Sequence, residues 1–222
     1  NRSIHVIPPF EIPDHWNRYG SYDHGFNHPF SYQEWAVDMD GVAYCYRHIK
    51  DRLKRPDEIA KMIGDTSKLK IIWAGRDCWT RGRDGAISIA EQFANSEPKI
   101  VIAQAIDDRI SGSSVMRNMI AWKNKNPDGS DGKPRVYFFE NCLDVYDNIS
   151  ERIFDPNRPE DVLKEDADDQ GVGGDDIYDS SRYFLASRFS FSKPKEDEER
   201  KNTASYLHEL AIKQNRFRSF AR

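Results

Sequence analysis

The sequence predicts an α/β domain built on a mixed β-sheet, and three observations carry that expectation. Three β-prone runs separated by turn signals open the chain, strand-like and helical periods then alternate, and a helix follows a dense acidic stretch. The 222 residues suit one globular domain with a sizeable core. A charged fraction of 32% makes the surface strongly polar, while an aromatic fraction of 12% leaves ample material to bury, which excludes disorder. No apolar run approaches the roughly 18 residues of a membrane span, and no apolar or Arg-rich leader opens the chain. No membrane partner is therefore expected. The start at Asn1 rather than Met points to a piece of a longer polypeptide.

Taken in order, residues 1–17 read as an extended lead-in, because Pro8, Pro9 and Pro13 oppose both a regular helix and a central strand. Residues 19–23 form a strand that stops at Gly25. Residues 32–37 and 42–49 flank Asp38-Met39-Asp40-Gly41, a hairpin signal. A helix over 55–63 ends at Gly64, and a buried strand over 69–74 runs into Gly75-Arg76-Asp77. Then come a helix over 85–95, a strand over 100–103, and a helix over 107–123 with Ile110, Ser114, Arg117 and Ala121 along one side. A polar loop leads to a strand over 136–140 and a helix over 142–149. After the acidic loop, residues 176–189 form a helix offering Ile177, Phe184, Leu185 and Ala186 for burial. The expected division is a lead-in (1–17), one α/β domain (18–190) and a basic helical segment (191–222), whose helix covers about residues 199–217.

The net charge of −4 announces no nucleic-acid partner, but it hides a partition. Between Asp155 and Asp179 ten acids face two bases, whereas residues 182–222 carry ten bases against five acids. Acid that dense either stays solvated as a loop or gathers cations. The three cysteines, Cys45, Cys78 and Cys142, are odd in number and form no C-x-x-C pair. Buried reduced thiols are expected, not a zinc ribbon, a redox pair or a disulfide scaffold. Gly129-Ser130-Asp131-Gly132-Lys133 has the wrong spacing for a phosphate-binding loop and is followed by Pro134, so the chain is no ATPase on its own.

Candidate chemistry lies where acids stand at strand ends or on a helix facing the sheet. Asp23 ends the first strand, Asp77 follows the strand over 69–74, and Asp179 sits in the first turns of the helix over 176–189. Two unit charges 4 Å apart cost about 4 kcal/mol at an effective dielectric of 20. Converging carboxylates therefore take up a proton or bind a cation. Oxygen-only ligation favours Mg²⁺ or Mn²⁺ over zinc, and a pair of such ions is the known device for phosphodiester cleavage. Arg76, Arg81 and Arg83 stand beside Asp77 and are candidates for holding DNA phosphate. Several competing readings stay open. Asp77 also suits a pair with Arg76 or Arg81, and Glu140 is a rival second ligand. Asp175 and Asp176 suit a helix N-terminus, while Asp166, Asp168 and Asp169 suit a solvated loop. Asp38-x-Asp40-Gly41 imitates a calcium loop, but Ile49 stands at the twelfth position. His24 and His28 lie in a Gly/Pro loop and share no helix face.

Four segments in order resemble the nuclease domain of tailed-phage large terminases. They are Asp23-His24-Gly25-Phe26 with Pro29 and the hairpin, Ile71-Ile72-Trp73-Ala74-Gly75-Arg76-Asp77, Asp108-Arg109-Ile110-Ser111-Gly112, and Asp175-Asp176-x-x-Asp179-x-x-Arg182-Tyr183. The resemblance spans about residues 15–190. It implies an RNase H-like fold, two divalent cations (Mg²⁺ or Mn²⁺) and endonucleolytic cleavage of concatemeric double-stranded DNA during packaging. It also implies Asp23 as central ligand, Asp77 as second and Asp179 as third. Asp176, where that family commonly has His, becomes an additional ligand. The implied partners are an ATPase domain of the same larger polypeptide, the portal and the small terminase subunit, in the host bacterial cytoplasm and transiently at the procapsid portal. The alternatives are another RNase H-like nuclease, of junction-resolvase or transposase type, a non-catalytic DNA-packaging or docking module, and a calcium-binding structural domain.

Overall fold

Alternation along the opening strands decides which face of the sheet each side chain meets, and through that where Asp23 ends up. The computed structural model describes residues 1–82, 85–122, 132–168 and 170–190. Within them the elements are α1 (Arg2–His5), β1 (Val6–Ile7), β2 (Asn17–Asp23), β3 (Phe30–Val37), β4 (Ala43–Asp51), α2 (Pro56–Ile63), β5 (Leu69–Ala74), α3 (Ile89–Ala94), β6 (Ala103–Gln104), α4 (Arg109–Ile120), β7 (Val136–Phe139), α5 (Leu143–Ser150), β8 (Phe154–Asp155), β9 (Arg158–Val162) and α6 (Asp176–Phe189). Short 3₁₀ turns follow β5 and β7. The seven-stranded sheet has the order β1-β7-β4-β3-β2-β5-β6. β2, β3 and β4 form an antiparallel meander, and the remaining neighbours pair in parallel. The α/β class with a mixed sheet is thus as the sequence predicts.

β3 lies in the middle and is buried along its whole length, so both of its faces are covered. Phe30 and Tyr32 join Tyr22, Ile72 and the apolar stripe of α2 (Ile59, Ile63) in one core. Trp35 and Val37 join Tyr19, Phe184 and Leu185 in the other. Trp35 stacks on Phe184 with ring centroids 4.7 Å apart. A ring system of that size removes about 150–250 Å² from water, several kcal/mol at about 25 cal/mol per Å². Period-two alternation therefore assigns Tyr19, Ser21 and Asp23 to the α6 face.

α6 is buried on nearly all sides from Ile177 to Ala186. Small hydroxyl residues let it lie close to the sheet: Ser180 Oγ donates to Ser21 Oγ at 3.2 Å, and Ser181 Oγ donates to Gln33 Oε1 at 2.8 Å. Gln33 Nε2 in turn donates to the Ile177 carbonyl at 2.9 Å, which fixes the helix register over the strands. α4 packs against α6 through Gly112, where an added Cβ would fall 2.9 Å from Cγ of the buried Arg182.

Several elements differ from the expectations. The lead-in carries one turn of helix, capped by the Asn1 side chain, and β1, which extends the sheet beside β7; both precede the prolines that argued against regular structure. The helix expected from Gly85 begins at Ile89, because the Ser88–Glu91 capping box starts it there. The strand over 100–103 shrinks to Ala103–Gln104, and the strand over 136–140 ends at Phe139. α4 turns Gly112, Ser113, Met116 and Met119 inward, not the side with Ile110, which is exposed. The acidic stretch is not wholly a solvated loop: β8 and β9 form a hairpin inside it, with Asp161 buried. The three cysteines are buried free thiols. Among the described residues no helix is long and apolar enough to cross a membrane. The expected polar loop, in large part, and the basic helix over 199–217 lie outside the described residues.

Candidate metal centre

A cavity of about 590 Å³ opens where β2, the turn after β5 and the first turns of α6 meet, and Asp23, Asp77, Asp175, Asp176 and Asp179 all line it. Asp23 arrives there as the last residue of β2, on the α6 face. Asp77 sits on the 3₁₀ turn Arg76–Trp79, entered through Gly75. A larger residue at that entry would displace the site side chains themselves, because an added Cβ would lie 2.7 Å from Asp77 Oδ1 and 2.8 Å from the Tyr183 hydroxyl. Asp176 and Asp179 share a helical face with Tyr183, one turn further on.

The electrostatics follow from this crowding. Burial pushes the Asp23 carboxyl well above the usual carboxylate range, and the charges of Asp179, Asp176 and Asp77 push the same way, against a hydrogen bond from Tyr183. Burial raises Asp176 too, with Lys50 and His28 opposing. Asp175 is raised to about 6, first by burial and then by Asp179, with Arg109 and Lys164 opposing. Asp175 Oδ2 and Asp176 Oδ2 are buried without a hydrogen-bond partner. The Asp179 carboxylate accepts from Arg109 Nη1 at 3.0 and 3.2 Å and from Arg182 Nε at 3.1 Å.

All-oxygen donors with two buried orphan oxygens fit a hard divalent cation. The donors are not a ready-made cage: among the described residues no three His, Cys, Asp or Glu side chains are grouped closely enough to hold an ion as they stand.

A pH dependence follows. Asp175 binds its proton more tightly in the folded than in the unfolded chain. Its stabilising contribution is therefore complete below the ordinary carboxylate pKa and is lost as pH rises through about 6. In EDTA, Asp175→Asn should melt close to wild type near pH 4 and above it by pH 7.5, the gap reaching up to about 3 kcal/mol. Melting curves across that range check this, and a gap independent of pH would contradict it.

The other sequence candidates divide. Arg76 lines the cavity, with Nε 3.6 Å from Asp107 Oδ2. Arg81 lies at a separate, smaller cavity beside Trp79 and pairs with Glu91; Arg83 lies outside the described residues. Glu140 is exposed and does not line the centre. Asp166 does, Asp168 folds back on the backbone N–H groups of Gln170 and Val172, and Asp169 is outside the described residues. Asp38 holds its own turn, accepting from the Asp40 and Val42 N–H groups. His24 and His28 reach the rim, and His24 Nδ1 lies 2.7 Å from the Tyr22 hydroxyl. Sequence reasoning gave no site role to Asp175, Arg109 or Tyr183. Asp175 reads as a helix cap, yet its side chain makes no capping bond. The spacing 176–179–183 was the available signal for Tyr183.

Solved structures share this mixed-sheet architecture, which here holds its acid-lined cavity beside the central strands. The nuclease domain of the P22 large terminase matches with a TM-score of 0.56 and 19% identity, over 85% of this chain and 90% of that one. The large terminase of a thermophilic bacteriophage, solved in complex with ADP, gives 0.59 and 18% over 86% of this chain and 44% of that one. The large terminase nuclease of the thermophilic phage G20c, with bound cobalt, gives 0.51 and 12% over 82% of this chain and 92% of that one. The fold is therefore that of phage large terminase nuclease domains, as the four motifs implied. Against the ADP-bound large terminase, this chain spans less than half of the length. No family model and no curated protein sequence matches it.

Proposed function

We propose that the chain is the metal-dependent endonuclease domain of a phage large terminase, cutting concatemeric double-stranded DNA during genome packaging. The observation that carries this reading is the meeting of acids from three distant segments in one cavity, with two buried carboxylate oxygens lacking a hydrogen-bond partner. Asp23 is the natural central ligand, because it is buried and feels Asp77, Asp176 and Asp179 together. Asp77 and Asp179 would complete separate positions, and Asp176 supplies an additional oxygen. When bound, two Mg²⁺ or Mn²⁺ ions would activate the attacking water and offset charge on the leaving oxygen. The cobalt in the G20c nuclease supports a divalent cation in this fold.

The chain's own residues prepare the centre. Tyr183 holds the Asp23 carboxylate, and Arg182 and Arg109 hold Asp179. Arg76 and Lys164 at the rim would meet the DNA backbone, which an acidic cavity alone repels. Arg81 would extend that contact; Arg83 and most of the stretch from Lys123 to Lys133, proposed for the same role from the sequence, lie outside the described residues. The ADP-bound large terminase of the thermophilic bacteriophage supports an ATPase domain on the same larger polypeptide as partner. Portal and small subunit would then be the assembly partners, in the host cytoplasm and at the procapsid.

Supercoiled plasmid tests the reading. Nicked and linear products should appear with Mn²⁺ or Mg²⁺, not in EDTA, and DNA binding should fall steeply with salt as counterions are released. Binding without cleavage would leave the non-catalytic module instead. A strong preference for four-way junctions would place the chain among resolvases, and no DNA binding at low salt would overturn the proposal.

A further inference from the structure

The acidic centre already contains a cation. Arg109, the first residue of α4, places Nη1 3.0 Å from Asp179 Oδ2 and 3.5 Å from Asp175 Oδ2, while its Nε donates to Asp161 Oδ2 at 2.9 Å. Its guanidinium thus lies between acids on two elements, Asp161 on β9 and the pair on α6. Asp161 is anchored in turn, since its Oδ1 accepts from the Val162 N–H at 2.8 Å and from Ser113 Oγ at 3.3 Å.

Arg182, the second arginine on Asp179, is placed differently. Its side chain is 2% exposed, against 25% for Arg109. It donates to the Asp107 carbonyl at 2.9 Å and lies 4.8 Å from the centroid of the Tyr183 ring. Arg182 is a fixed part of the core. Arg109 is held almost wholly by carboxylates, with only a long 3.5 Å contact to the Val162 carbonyl besides. A divalent cation approaching Asp179 meets oxygens that already accept from Arg109, whose Nη1 also lies 3.5 Å from Asp175 Oδ2.

We propose that Arg109 is an internal counter-ion that competes with a divalent cation for Asp175 and Asp179, and that Asp161 moderates this competition by holding the other side of the guanidinium. The inference rests on the metal-dependent reading of the cavity and deepens it. The Asp23, Asp77 and Asp176 side fills first, and the Asp179 side fills as Arg109 yields. Arg109 is thereby a positioning residue that sets the order and strength of metal loading.

Mn²⁺ titration calorimetry on the wild type, Arg109→Gln, Asp161→Asn and Asp23→Asn proteins tests this, with circular dichroism reporting the fold. Arg109→Gln should tighten the weaker Mn²⁺ site by about tenfold, within the usual range for coupled sites. Asp161→Asn should weaken it several-fold, because Arg109, released from Asp161, pairs more fully with Asp179. A merely structural network predicts weakening in both variants; that result, or no change in either, overturns the inference. Should Arg109→Gln not fold, Arg109→Lys keeps the charge but not the fork that spans both sets of acids, and it should also tighten the site. No tightening in folded Arg109→Lys overturns the inference equally. A wild type that binds no Mn²⁺, or an Asp23→Asn protein that binds it as well as wild type, overturns the nuclease reading itself; intact binding lost on Asp23→Asn but insensitive to Arg109 and Asp161 overturns only the role of Arg109.

Discussion

Asp23→Asn is expected to leave plasmid DNA uncut while making the metal-free protein more resistant to heat. Both effects have one cause. The Asp23 carboxylate is crowded by Asp179, Asp176 and Asp77 in a region that burial has stripped of water. An amide of the same shape removes one charge from the cluster and keeps the packing. Relief of repulsion worth about 2 kcal/mol, well inside what a close carboxylate pair costs, should raise the melting temperature of a chain of this size by about 4–8 °C. On the proposed reading the same change removes the shared ligand, and cleavage should fall at least about a thousandfold, equivalent to about 4 kcal/mol in the barrier. Melting in EDTA beside a nicking assay in Mn²⁺ reads both. A variant less stable than wild type, or one that still cuts, would show that Asp23 serves the fold and not the chemistry.

Arg182→Met is expected to have the opposite signature, a large loss of stability in any buffer. The Arg182 side chain is almost fully buried, donates to Asp179 Oδ1 at 3.1 Å and to the Asp107 carbonyl at 2.9 Å, and fills the space that Gly112 leaves open on α4. Removing one partner of a buried pair typically costs about 3–5 kcal/mol, because the other charge stays behind. Arg109 still faces Asp179, so the lower end of that range applies, a melting temperature lower by about 6–12 °C. Chemical denaturation with an unchanged denaturant slope would attribute the loss to the native state. A loss below about 1 kcal/mol would mean that Arg109 alone neutralises Asp179, in conflict with the division of labour between the two arginines.

The ease of reading Asp23, Asp77, Asp176 and Asp179 from the sequence has a physical basis. Asp23 ends and Asp77 closely follows a β-prone run, and Asp176 and Asp179 open a helix that begins just past the break at Gly173-Gly174. Long regular elements place such residues almost without help from the rest of the fold. The partners of Asp179 were hidden for the converse reason. Arg109 meets Asp179 across 70 positions of sequence, and Asp161 reaches Arg109 from a hairpin whose second strand is Arg158-Pro159-Glu160-Asp161-Val162, a run poor in β-forming residues that local preference assigns to a loop. β1 escaped notice because two residues beside a mature sheet need only an open edge, not intrinsic propensity. Tertiary context decided these elements, and a single sequence carries little of it. The late start of α3 was legible in principle, in the Ser88–Glu91 pair.

The centre also joins stability to function in a way that orders the remaining chemistry. Asp175, raised to about 6, and the more strongly raised Asp23 are costly to ionise while no cation is present. Metal binding offsets that cost and so stabilises the fold. Arg109 lowers that cost on the Asp179 side alone, which leaves the Asp23 side as the stronger magnet for the first ion.

The most direct test of the central claim is anomalous diffraction from crystals soaked in Mn²⁺. Manganese should occupy the cavity with Asp23 as a common ligand at about 2.1 Å, joined by Asp77 or Asp176 on one side and by Asp179 on the other. Manganese bound elsewhere, with Asp23, Asp77 and Asp179 directed to separate surfaces, would contradict the account.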